Sequence, residues 1–404
     1  MAALHPFRAL RPLPDTVARV AAVPYDVVNV DEARALARDN PLSFLHVSRA
    51  EIDLPPGTDP HSDAVYTRAF QNFDALKQHA PLVLEQVESL YVYRLRMGRH
   101  EQTGVAGAFG LDDYDSGVIR RHEHTRRDKE DDRTRHMLQI RAQTGPVFLT
   151  YRADITIKEI VQRVSSAAPL FEFTAEDGVD HTIWRADVRD SADLLSGFAA
   201  IPALYIADGH HRAASAARAR QQLRGPSRAA GPWDMVLAVA FGDDQVRILP
   251  YNRIVKDLGP YSPATFLTAL RGTLRVTEGS GPTQRGEAKM FLDGAWHTIR
   301  LPEPAPESTP ADRLDVSRLQ TSVLAPLLGI ADVRSDSRID FVGGIRGTAE
   351  LEALVRDGRA AAAFALYPVS VPDLMAVCDA GGIMPPKSTW FEPKLRDGLL
   401  SHVI

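Results

Sequence analysis

The chain has a single cysteine, Cys378, in 404 residues. This excludes an intramolecular disulfide and a cage of several thiolates around a metal, and such usage is typical of a reducing compartment. At the end of LMAVC, Cys378 reads as a small buried hydrophobe rather than a nucleophile. A long hydrophobic run is missing too. The N-terminal stretch MAALHPFRALRPLPDTVARV carries arginine and proline inside any would-be apolar segment, so the expectation is neither a signal peptide nor a membrane span, and a cytoplasmic location. Positive charge is not in excess: 47 Lys and Arg face 52 Asp and Glu, for a formal net charge of −5. No global field therefore favours nucleic acid or an anionic membrane, and neither is an expected partner. The pattern G-x-x-x-x-G-K-[ST] of a P-loop is absent, as are H-E-x-x-H, internal repeats and heptads.

What is present is ordinary globular composition, 44% apolar and 25% charged, enough for two or three structural units. In the first part, 1–105, Asp31 is the expected cap of a short helix that Asn40-Pro41 stops, and SFLHVSRAEI looks extended. AVYTRAFQNFDALKQHA has helical spacing and SLYVYRLRM reads as a strand. From 106 to 260 strands and helices alternate: GVAGAFG, a dense charged run, GPVFLTY, a helix near 156–168, a hairpin in FEFTAEDGVDHTIWRADV, and the buried strand MVLAVAF. Residues 261–404 contain the proline-dense linker 302–313, a strand in AAAFALYPVSV and a helix in VPDLMAVCDAGG. This alternation predicts an α/β fold, with α+β as the variant.

The richest spot is IPALYIADGHHRAASAARARQQLR, residues 201–224. Ile201 to Ala207 has the length and composition of a buried strand, Asp208 is the expected helix N-cap, and Gly209 supplies the turn. The N–H groups of the new helix, with His210, His211 and Arg212 beside them, make an anion site that a phosphate would fill. A capped surface helix is the plainer reading.

A second constellation, RRHEHTRRDKEDDR (120–133), sets Glu123 between His122 and His124 and near Arg126. The bland reading is a solvated, salt-bridged helix face. The chemical reading makes Glu123 a carboxylate positioned to accept a hydroxyl proton, with His122, His124 and Arg126 as substrate contacts. Residues 120–141 hold eight Arg or Lys against five Asp or Glu, a modest local excess inside an acidic protein that argues only weakly for nucleic acid. A third motif, MPPKSTWFEPK (384–394), offers Lys387, Ser388 and Thr389 as phosphate contacts, or else a C-terminal packing lock. His122, His124, Asp208, His210 and His211 also permit a metal-dependent hydrolase. Adjacent histidines point apart, however, and Mg²⁺ on Asp208 with nucleotide phosphates asks less of the chain.

Taken together, RRHEHTRRDKEDDR, GPVF, DGHHRAASA, LDVSRLQTSVLAPLLGI and MPPKSTWFEPKL resemble the DUF1015 family over nearly the whole chain. The order HE, a proline-opened strand, then DGHHR is also similar to the ParB/sulfiredoxin-like free serine kinases. That resemblance implies a ParB/sulfiredoxin-like core at 106–260 with N-terminal and C-terminal α/β additions. It also implies a kinase that moves a phosphoryl group from ATP or ADP, with Mg²⁺, to L-serine or a similar small hydroxy amino acid. Glu123 would be the base and Asp208 a Mg²⁺ or substrate ligand, while Gly209, His210, His211 and Arg212 would hold the phosphoryl group. A homodimer is compatible with it. A nucleotide-responsive ParB-like regulator is the alternative. About 84 residues separate Glu123 from Asp208, more than the compact kinase pattern, so an inserted segment must fold back.

Overall fold

The computed structural model describes residues 2–79, 82–225, 230–279 and 283–404. The chain forms two compact units, Met1–Val246 with Pro393–Ile404, and Arg247–Glu392. The expected segment edge near 105 falls inside the strand His100–Gly110, and the one near 260 lies 13 residues past the change of unit at Arg247.

The first unit is built on a nine-stranded mixed sheet. Its path runs Ile119–Arg120, Leu204–Asp208, Val147–Tyr151, Met235–Gly242, His100–Gly110, Tyr91–Met97, Asp180–Arg185 and Phe171–Thr174, with Leu4–His5 pairing to His100–Gly110. Apolar strands such as Leu204–Ala207 and Val236–Phe241 are buried because helices cover the sheet. Two pairs are parallel: Leu204–Asp208 with Ile119–Arg120, and Met235–Gly242 with Val147–Tyr151. The helices His210–Arg224 and Arg127–Ile140 pack together, and Asp63–His79 packs on the second of them. A small four-stranded sheet orders Val83–Leu84, Ala9–Arg11, Ser401–Val403 and Ala142–Gln143, so the last residues of the chain are stitched between two distant segments.

The second unit carries a six-stranded antiparallel sheet ordered Arg275–Glu278, Ala295–Arg300, Glu287–Leu292, Ala362–Leu366, Tyr251–Val255 and Ile339–Gly343. A ribbon pairs Arg247–Leu249 with Trp390–Glu392. Residues 302–313 form no helix or strand, as their prolines require.

Local expectations fail in three places. SFLHVSRAEI is helical over Leu45–Ser48 and again over Ala50–Asp53, because Phe44, Leu45 and Val47 face a core instead of alternating across a sheet. The helix Val30–Ala37 is capped by Asn29, whose side chain and that of Glu32 exchange hydrogen bonds in a capping box, and Asp31 lies in its first turn. Asp208 caps nothing: Gly209 is the residue before the helix, and no side chain caps it. Among the described residues no helix is long and apolar enough to cross a membrane.

Candidate active site

The parallel pairing of Leu204–Asp208 with Ile119–Arg120 explains how the HE and DGHHR motifs meet. Two adjacent parallel strands end at the same edge of a sheet, so the loop after each leaves side by side, and such an edge is where open α/β sheets bind ligands. The 84 intervening residues supply other strands and helices of the same unit. Glu123 and His124 therefore sit in the loop between Ile119–Arg120 and the helix Arg127–Ile140, not on a helix face.

Gly209 makes the junction. Its φ of +94° lies in the left-handed region, and a Cβ there would be 3.4 Å from the Val147 Cα. The turn aims the first amides of His210–Arg224, which have no intrahelical acceptor, at the sheet edge. His210 is buried. Its Nε2 accepts the His122 backbone N–H at 3.4 Å, which places the neutral ring's proton on Nδ1. That Nδ1 lies 3.6 Å from Glu123 Oε2. Burial depresses the pKa of His210 to about 3, so the ring is neutral and steers the carboxylate as a dipole. His122 is also buried, packs edge-on against His210 with ring centroids 4.4 Å apart, and is held by burial to about 3. His211 Nε2 accepts the Arg126 backbone N–H at 3.1 Å, so both histidines of the motif clasp the HE loop. The Arg126 side chain turns outward onto Asp128, and His124 is exposed.

Asp208 is recessed, with 29% of its side chain accessible. Burial alone would raise its pKa, but Lys394 and Arg212 outweigh that and hold the carboxyl well below the usual range. Lys394 Nζ donates to Asp208 Oδ2 at 3.2 Å. Lys394 belongs to the closing motif, yet sequence reasoning chose Lys387, Ser388 and Thr389 as its phosphate contacts. Those three lie in the second unit, where the Lys387 ammonium sits 5.6 Å from the Tyr251 ring centroid and Ser388 Oγ donates to the Pro385 carbonyl at 2.6 Å. Arg212 faces inward: Nη1 donates to the Pro146 carbonyl at 2.9 Å and Nη2 to Asp26 Oδ1 at 3.1 Å. Tyr25, Asp26 and Asp397 around it were not singled out in the sequence. PYD and LRD are too short and common to announce themselves.

The donor set suits one kind of metal. Asp208 presents an ionised hard oxygen, and Mg²⁺ commonly takes one or two carboxylates and completes its shell with phosphates and water. No group of three or more His, Cys, Asp or Glu among the described residues could hold a metal ion by itself.

Fold and site together define a mixed α/β protein in which the N-terminus of the helix His210–Arg224 lies beside the Glu123 carboxylate. The model of the family described as "Protein of unknown function (DUF1015)" matches residues 4–317, and the chain belongs to that family. Curated protein sequences give no significant match. Solved structures similar to this chain include a conserved hypothetical protein from Pyrococcus furiosus, 14% identical, covering 73% of this chain and 94% of that one, with a TM-score of 0.36. A free serine kinase in complex with AMP is 15% identical, covering 73% and 91%, with a TM-score of 0.37. SbnI with a C-terminal truncation from Staphylococcus aureus is 12% identical, covering 72% and 85%, with a TM-score of 0.39.

Proposed function

We propose that this chain is a phosphotransferase that moves a phosphoryl group from ATP or ADP to the hydroxyl of L-serine or a similar small hydroxy amino acid. The observation that carries the reading is the 3.6 Å approach of Glu123 Oε2 to His210 Nδ1, which brings a proton acceptor to the mouth of a helix-terminal anion cradle. The amides after Gly209 receive the nucleotide phosphates. Glu123 accepts the hydroxyl proton as the hydroxyl oxygen bonds to the terminal phosphorus, and the bond from that phosphorus to the bridging oxygen breaks, releasing ADP from ATP or AMP from ADP. Mg²⁺ held by Asp208 and phosphate oxygens would neutralise the charge on the transferred group. The serine-like acceptor follows the similarity of the HE and DGHHR motifs to free serine kinases.

The test is to incubate the protein with Mg²⁺, L-serine and ATP or ADP and to follow O-phosphoserine by phosphorus NMR. Glu123→Gln should lower turnover on the order of 10²- to 10⁴-fold and leave AMP binding intact. Absence of product with every nucleotide, together with no nucleotide binding by calorimetry, overturns the proposal.

A further inference from the structure

Lys394 reaches Asp208 from a segment that is otherwise locked in place. From Pro393 to Leu400 every residue except Lys394 is buried. Asp397 exchanges backbone hydrogen bonds with Ala22 at 2.9 and 3.2 Å, and the Gly398 N–H donates to the Thr144 carbonyl at 3.0 Å. Arg396 Nε donates to His181 Nε2 at 3.2 Å, and its Nη2 pairs with Asp177. The pyrrolidine ring of Pro393 fixes the backbone on the other side. The chain around Lys394 is therefore held, and its side chain alone leaves the packing, toward Asp208.

The neighbouring charges give this side chain a task. Basic groups of the DGHHR turn are engaged elsewhere: Arg212 donates to the Pro146 carbonyl and to Asp26, and the rings of His210 and His211 accept backbone N–H groups of the HE loop. Lys394 instead sits on Asp208, whose side chain is 29% accessible against 12% for the lysine. Asp208 directly precedes Gly209, so its carboxylate lies beside the first amides of the helix His210–Arg224. An ionised carboxylate there repels a polyphosphate unless cations cover it. Mg²⁺ on Asp208 would supply one. The lysine ammonium, 3.2 Å from the carboxylate, supplies another, and its flexible four-carbon stem lets it turn onto a phosphate oxygen without moving the backbone.

We propose that Lys394 is a contact for the nucleotide phosphates beyond the first, its ammonium passing from Asp208 to a β- or γ-phosphate oxygen when the nucleotide binds. The assignment rests on the phosphotransferase reading for its ligand, a nucleoside di- or triphosphate. It gives Lys394 the part that the sequence suggested for Arg212 and Lys387.

The full chain is titrated by calorimetry with AMP and with ADP. Lys394→Met should weaken ADP binding about tenfold or more, the loss of one charge-assisted hydrogen bond, and leave AMP affinity within about threefold. A side chain that only held the turn together would weaken both nucleotides alike, and that result overturns the assignment. Loss of Lys394 also uncovers the Asp208 carboxylate, so the comparison is repeated in an Asp208→Asn background with EDTA, where neither that charge nor Mg²⁺ remains. The loss of ADP affinity should persist there. Its disappearance would show that Lys394 acts only by masking Asp208, and the contact falls. If Lys394→Met does not fold, Lys394→Gln, which keeps an N–H for Asp208, carries both comparisons. Selective loss of ADP affinity in the variant, with no O-phosphoserine formed by wild type, upholds the contact and overturns the phosphotransferase reading. O-phosphoserine formed by wild type, with ADP affinity untouched by Lys394→Met, overturns the contact alone.

Discussion

Lys394 Nζ reaches Asp208 Oδ2 at 3.2 Å, joining a residue near the end of the chain to the strand–turn–helix junction 186 residues earlier. The pair keeps a recessed carboxylate ionised beside the Gly209 turn. Lys394→Met should cost about 1–3 kcal/mol of stability at pH 7, the range for an uncompensated, partly buried charge. The sign with pH is also fixed. Asp208 in the wild type has a depressed pKa, so its contribution is present above the unfolded carboxylate pKa and is lost only as pH falls through the folded value, in strong acid. Without Lys394 the burial effect gains weight, and the loss should begin nearer neutrality. Urea unfolding of both proteins between pH 4 and pH 7 measures this. Identical acid limbs would show that Lys394 does not set the Asp208 charge.

Gly209→Ala tests the turn. Only glycine adopts φ of +94° without strain, and the added methyl would press on Val147. A penalty of about 1–2 kcal/mol is expected, seen as a lower melting temperature, with weaker AMP binding because the amides of His210 and His211 would no longer aim at the same point. Unchanged AMP affinity in a destabilised variant would confine Gly209 to a folding role.

Much of this site was legible in the sequence, for a physical reason: strand, glycine and helix are consecutive, so DGHHR announces its own geometry. The facing of Glu123 and His210 was not, since it depends on parallel pairing between two strands far apart in sequence. Asp208 looked like a cap because Asp before a glycine and a helix usually is one. The approach of Lys394 removes that role, and no local pattern records an approach from 186 residues away. SFLHVSRAEI misled because five clustered apolar residues fit a strand or a short helix equally well until the surrounding core chooses. Asp397 and Tyr25 were invisible because single buried polar residues leave no periodic trace.

His210→Phe separates positioning from chemistry. The phenyl ring keeps the contact with His122 but loses the Nδ1–H that faces Glu123, so the carboxylate can rotate away from the cradle. Turnover should fall about 10- to 100-fold with little change in the KM for nucleotide, and His210→Gln, which restores an N–H, should recover part of it. A rise in nucleotide KM with kcat unchanged would instead place His210 on the phosphates.

Asp397→Asn makes the sharpest stability prediction. Burial pushes the Asp397 carboxyl up to about 7, against the lowering influence of Arg212. A carboxyl whose folded pKa exceeds its unfolded value binds a proton more tightly when folded, so its stabilisation is full below pH 4 and fades as pH rises toward 7. Taken over that interval the shift is worth roughly 4 kcal/mol at most, and Asn, which never ionises, removes it. The variant should therefore be more stable than wild type at pH 8 by a few kcal/mol and lose the decline between about pH 4 and 7 that this group imposes, measured by urea unfolding at each pH. A folded protein that gains stability on losing a buried carboxylate has kept that carboxylate for something other than folding. If Asp397→Asn is no more stable than wild type at pH 8, the carboxylate is satisfied inside the protein.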